Sequence, residues 1–270
     1  ERKDVTSLSK KPIVFFDSGL GGVSALKEAV QVLPGEDFLF FGDTRNVPYG
    51  TKSMEEIRRL VFEAVEKIMT YDPKALVLAC NTATSAAARE LRAHYPIPIL
   101  GMEPAIKPAL VGEKRGDKKV LMISTELTAK AEKLAKLRER VDRQGRLEVL
   151  PMPCLVDLAE ELKFDGPEVV SSIRENFAPY DLNEFESIVL GCTHFIWFLP
   201  VFRKVLPGHL RYIDGNYGTV QNLIHILEGH LEPSNPEGNI QVHFSGGMSP
   251  EVQDFIEAQL NRKVEVIEEM

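Results

Sequence analysis

The feature that most constrains this chain is a change of hydrophobic period, repeated from one end to the other. Short apolar runs rich in β-branched and aromatic residues alternate with longer stretches whose apolar residues recur at helical spacing. PIVFFD (12–17) reads as a strand, and SGLGGVSALKEAV is a glycine turn running into a helix. DFLFFGD (37–43) is the next strand and KSMEEIRRLVFEAVEKIM (52–69) an amphipathic helix, followed by strands in KALVLACN (74–81) and IPILGM (97–102). After the helix-like EPAIKPALV the pattern restarts with KKVLMIS (118–124), one long helix over 125–141, and strands in LEVLPM, ESIVLGC and HLRYID. Helices are expected around 155–163, 167–177, 196–205, 219–229 and 249–261, with closing strands QVHFSG (241–246) and KVEVIEE. Strands alternating with helices in this way imply parallel βα units.

The restart implies duplication. The expected fold is α/β, two similar parallel-sheet domains with a pseudo-twofold relation and an active site in the cleft between them. A length of 270 residues suits roughly two domains. VLACNT (77–82) parallels VLGCTH (189–194), so each half ends a strand with a small residue and then a cysteine. Open α/β sheets bind ligands outside the carboxyl ends of their strands. Two facing halves would therefore aim Cys80 and Cys192 at one cleft.

Several function classes are disfavoured. The formal net charge of −8 is a poor match for nucleic acid or an anionic membrane. No run approaches the ~18–20 apolar residues that span a bilayer, and the polar ERKDVTSLSKKP lacks the apolar core of a signal peptide. A cytoplasmic location is expected. There the three widely spaced cysteines, Cys80, Cys154 and Cys192, would be free thiols.

Cys80 alone reads plainly as a small buried hydrophobe. However, Asn81-Thr82 lead straight into ATSAAARELRAH, which sets the thiol at a helix N-terminus, where N–H groups favour negative charge. Cys192, followed by Thr193-His194, makes the same case. Cys-Thr-His has no second ligand pair at metal spacing, so no metal is expected. Cys154 in PMPCLVDLAE has no evident polar companion and reads as structural. Asp17, at the end of an apolar strand, is costly unless it is hydrogen-bonded or functional; its plain reading is a helix N-cap. SGLGGVS does not fit the dinucleotide G-x-G-x-x-G fingerprint, and Asp43, the nearest later acid, is followed by a chain that turns away. Two thiols facing one small carboxylate substrate suit proton removal from one face of a carbon and delivery to the other. An α-proton is held far more tightly than a thiol proton, so fixed donors must stabilise the developing enediolate.

In combination and order, FFDSGLGG, GDTRNVPYG, ACNTAT, EPAIKPA and LGCTHF resemble the bacterial glutamate racemases, cofactor-independent two-cysteine members of the aspartate/glutamate racemase family, over about residues 12–215. The resemblance implies an enzyme, an amino-acid racemase that needs no cofactor and supplies D-glutamate for peptidoglycan. It also implies that the carboxyl-terminal tail completes the first domain, giving bounds of 1–103 plus 219–270 for the first and 104–218 for the second. It implies that Cys80, assisted by Asp17, acts on the D-glutamate face, and that Cys192, assisted by His194 and Glu160, acts on the L face. It further implies that Asp17, Ser18, Tyr49, Gly50, Asn81, Thr82, Thr125, Thr193 and His194 grip the head group and carboxylates. The expected partners are glutamate and a second copy of the chain in a homodimer. Aspartate racemases usually carry Glu where this chain has His194. The chain departs from the family in FIWFLP (195–200), which holds its single tryptophan, and in IDGNYGT (213–219).

Three rivals are distinguishable. A related two-cysteine racemase or decarboxylase acting on aspartate or another small carboxylate would separate on a substrate panel. A two-domain binding protein would keep its affinity without the thiols. A thiol hydrolase or transferase would form a covalent adduct and leave one cysteine dispensable.

Overall fold

The computed structural model describes residues 11–111, 118–232 and 237–270. Most of the polar N-terminal stretch discussed above therefore lies outside the described residues. The chain divides into two compact units, Glu1–Met102 with Asn216–Met270, and Glu103–Gly215.

Unit 1 is built on a six-stranded sheet in the order β10-β9-β2-β1-β3-β4, parallel throughout. The strands are β1 (Ile13–Asp17), β2 (Phe38–Gly42), β3 (Ala75–Leu78), β4 (Ile99–Gly101), β9 (Ile240–Phe244) and β10 (Glu265–Val266). Every residue of β1, β2 and β3 is buried, which is why these strands read as unbroken apolar runs. The helices are α1 (Val23–Val32), α2 (Met54–Met69), α3 (Asn81–His94), α10 (Asn216–Ile226) and α11 (Pro250–Leu260). α2 starts where Ser53 accepts from Glu56 N at 3.1 Å, and its Ile57, Leu60, Val61, Ala64, Val65 and Ile68 form the buried stripe.

Unit 2 holds a four-stranded parallel sheet, order β6-β5-β7-β8, from β5 (Lys119–Ser124), β6 (Leu147–Pro151), β7 (Phe185–Leu190) and β8 (Arg211–Ile213). The strand order second-first-third-fourth matches β2-β1-β3-β4 of unit 1, so the internal duplication seen in the cysteine segments extends to topology. Alternate residues of β5 enter two different cores. Leu121 and Ile123 join Leu158, Phe195, Phe198 and Phe202. Val120 and Met122 join Ile106, Leu110, Leu134 and Val189. Its helices are α4 (Ile106–Val111), α5 (Glu126–Lys130), α6 (Glu132–Val141), α7 (Cys154–Glu160), α8 (Pro167–Phe177) and α9 (Leu199–Val205).

Two expectations are corrected. The helix expected over 125–141 is broken at Ala131, whose backbone is extended (φ −67°, ψ 134°). α5 packs on β6 whereas α6 packs on α4, so the two pieces follow different surfaces. The helix expected over 196–205 is instead a 3-10 turn, Thr193–Phe198, followed by α9. Pro200 cannot donate to the carbonyl of Ile196, so no α-helix begun before it continues through it; it sits instead in the first turn of α9, and Leu199 N bonds to Ile196 O.

Candidate active site

In each sheet the chain reverses direction of travel beside its first strand, and ligands of open α/β sheets bind outside such switch points. In unit 1 that point lies between β1 and β3, whose carboxyl ends carry Asp17 and Cys80. In unit 2 it lies between β5 and β7, whose ends carry Thr125 and Cys192.

Cys80 is the N-cap of α3. Its sulfur accepts from Ala83 N at 3.4 Å, and Thr84 N donates to its carbonyl at 2.9 Å. The α3 N-terminus thus stabilises negative charge on the sulfur. Its thiol lies 3.6 Å from Ser18 Oγ, and Ser18 lies 3.4 Å from Asp17 Oδ1. Asp17 is fully buried and does not cap a helix: α1 begins six residues on, at Val23 after Gly22, with no side-chain cap. Its carboxylate instead accepts from Gly19 N at 2.8 Å. Asn81 and Thr82, in the first turn of α3, are buried beside the thiol. Asn81 Oδ1 has no hydrogen-bond partner among the described residues, and a buried acceptor in that state costs about 1–3 kcal/mol unless a ligand meets it. Tyr49 and Gly50 sit in a 3-10 turn, Tyr49–Thr51, with the Tyr49 ring 6.5 Å from that of Phe16. The Tyr49 hydroxyl donates to Asp43 at 2.6 Å, so its side chain is already committed.

In unit 2, Cys192 precedes a 3-10 turn rather than an α-helix and makes no cap bond. The expectation of a second helix N-terminus is therefore corrected, and a different device takes its place. Cys192 Sγ lies 3.5 Å from His194 Nδ1, and His194 Nε2 lies 2.6 Å from Glu160 Oε1 at the end of α7. Burial opposes charge on His194, but its bonds to Cys192 and Glu160, with their charges, hold its pKa well above the ordinary imidazole value. Thr193 is buried next to this relay. Thr125 caps α5, accepting from Thr128 N at 3.2 Å. Gly191 has no room for a side chain, since a Cβ there would lie 2.6 Å from Met122 Cε and 2.8 Å from Ile123 O.

Cys154 has a companion that the sequence did not reveal. Its sulfur is 3.0 Å from Ser172 Oγ on α8. Among the described residues no group of three or more His, Cys, Asp or Glu side chains is assembled to hold a metal ion, and no helix is long and apolar enough to cross a membrane. The sequence pattern set Asp43 aside only as a dinucleotide-site acid and gave it no other role, yet it is buried just past the carboxyl end of β2 beside Tyr49. The only local signal was an acid directly after the apolar FLFFG.

Fold and strand-end residues together define a protein of the two-unit parallel α/β class, with thiols at the switch points. The family model for Asp/Glu/hydantoin racemases matches residues 17–223. A glutamate racemase of Halothermothrix orenii is 45% identical over 236 residues, covering 87% of this chain and 92% of the relative. Two solved structures are similar in fold: a glutamate racemase isoform of Bacillus anthracis (TM-score 0.85, 26% identity, 96% of this chain and 97% of that one) and the Escherichia coli glutamate racemase in complex with L-glutamate and the activator UDP-MurNAc-ala (TM-score 0.83, 26% identity, 95% and 98%). The chain belongs to the Asp/Glu/hydantoin racemase family and is an amino-acid racemase.

Proposed function

We propose that the chain interconverts L- and D-glutamate without a cofactor, using Cys80 and Cys192 as its two acid–base groups. One thiolate takes the α-proton, the electron pair of the broken C–H bond delocalises into the carboxyl group as an enediolate, and the other thiol returns a proton to the opposite face. Cys80 with Asp17 serves the D-glutamate face, and Cys192 with His194 and Glu160 the L face.

The observation that carries this reading is the Cys192–His194–Glu160 relay, because a structural cysteine has no use for a buried imidazole backed by a carboxylate. The unpartnered Asn81 Oδ1 suits the substrate ammonium. Ser18, Thr82, Thr125, Thr193 and the main chain of Tyr49 and Gly50 supply the remaining contacts with head group and carboxylates. Glutamate is favoured by the relatives named as glutamate racemases. The reading extends to a cytoplasmic homodimer whose D-glutamate enters peptidoglycan, supported by the family resemblance; sedimentation velocity checks the dimer.

The test is incubation with L-glutamate in D₂O, with EDTA and no added cofactor, followed by circular dichroism and α-deuterium by mass spectrometry. Loss of optical activity with deuterium entry is expected. A flat signal with reduced thiols, and D-glutamate equally inert, would redirect the reading to aspartate, hydantoins or malonates. Cys80→Ser and Cys192→Ser should each lower turnover by roughly 10²–10⁴-fold while unfolding stays cooperative. Near-normal turnover in either variant would refute the two-base assignment.

A further inference from the structure

Asp43 is a buried carboxylate that the proposed proton transfer does not use. It comes directly after β2, next to Asp17 at the end of β1, and its N–H donates to Asp17 O at 2.9 Å. Its side chain gathers three others. Tyr49 donates to Oδ2 at 2.6 Å, Asn46 Nδ2 lies 3.0 Å from both oxygens, and Ser245 donates to Oδ1 at 2.7 Å.

Ser245 follows β9, some two hundred residues on, and lies beyond the 17–223 stretch that defines the family. It is held on both sides. Its N–H donates to Gly42 O at 2.9 Å, and its hydroxyl accepts from Arg45 N at 3.0 Å. Gly246 N adds a bond to Thr44 Oγ1 at 3.1 Å. The carboxyl-terminal segment thus clasps residues 42–45, where the loop to Tyr49 begins. Burial first, then the charge and hydrogen bond of Asp43 and the charges of Cys80 and Asp17, keep the Tyr49 phenol protonated as a donor.

We propose that Ser245 and Asp43 are positioning residues for substrate: through the Tyr49 hydroxyl they fix the Tyr49–Gly50 main chain against which the amino acid is gripped. This rests on the glutamate racemase reading above. The Tyr49 hydroxyl proton is spent on Asp43, so the donor Tyr49 can offer a substrate is its backbone N–H. Small displacements of that backbone weaken ground state and transition state alike, which raises KM and leaves kcat nearly unchanged.

The test is steady-state racemisation of both enantiomers by wild type, Ser245→Ala, Ser245→Thr and Asp43→Asn, with thermal unfolding alongside. Ser245→Ala should raise KM for both enantiomers about tenfold, the loss expected for one charge-assisted hydrogen bond, with kcat within about threefold. Ser245→Thr, which keeps the hydroxyl, should restore KM. Asp43→Asn should exceed Ser245→Ala in KM. A lower melting temperature with unchanged KM in Ser245→Ala would show a purely structural role and overturn the proposal, as would a fall in kcat at constant KM. Wild type inert on glutamate refutes the functional reading instead; the KM comparison then moves to whichever panel substrate wild type turns over. A chain with no substrate at all refutes both.

Discussion

His194 carries charge in a place where burial alone would remove it, and the pH dependence of the molecule follows. Its folded pKa is raised, so the stability it contributes is fully present below the ordinary value of about 6.5 and is lost as pH rises through the folded value. The melting-temperature difference between wild type and His194→Asn should therefore shrink on the alkaline side of neutrality, measured by calorimetry across that range. Gly22 is constrained by space rather than by backbone angle. A Cβ there would sit 2.6 Å from Asp17 Cβ and 3.1 Å from Ala79 Cβ. Gly22→Ala should destabilise by about 1–3 kcal/mol in urea unfolding and depress turnover by shifting Asp17. Cys80, Cys192, Asp17 and His194 were legible as candidates because each stands beside a strand end with an unusual polar companion. Ser245 was not, since a serine in a glycine-rich turn gives no hint of a carboxylate two hundred residues earlier.

At the scale of elements, strands and most helices were legible from period alone, because the fully buried strands had to be apolar throughout. The misses share a cause: packing decided where local sequence was permissive. Nothing in TELTAKAEKLAKLRERV demands a break, yet Ala131 is extended because α5 and α6 lie on different neighbours. Pro200 was a readable signal, and it stops an α-helix from starting at Thr193. Helix caps behave as the residues suggest. Ser249 caps α11 by accepting from Val252 N at 3.3 Å, so Ser249→Ala should cost about 1 kcal/mol, read from the shift in denaturation midpoint.

At the scale of the whole molecule, unit 1 is discontinuous in sequence and is stitched together by a buried ion pair. Lys74, just before β3, pairs with Glu36, just before β2, and both side chains are almost wholly buried. Lys74 Nζ also reaches His230 O at 3.2 Å, which brings in the returning chain after α10. Lys74→Met should cost about 3–5 kcal/mol by stranding Glu36, and adding Glu36→Gln should recover part of that loss in chemical denaturation. The placement of β9 has a further consequence for how the molecule is made. Unit 2 occupies one continuous stretch and can leave the ribosome whole, whereas β2 must wait as a bare apolar edge until Ile240–Phe244 emerges to pair with it. The half that is synthesised first is the last to be finished, and during that interval the nascent chain exposes the apolar edge of β2 to the cell.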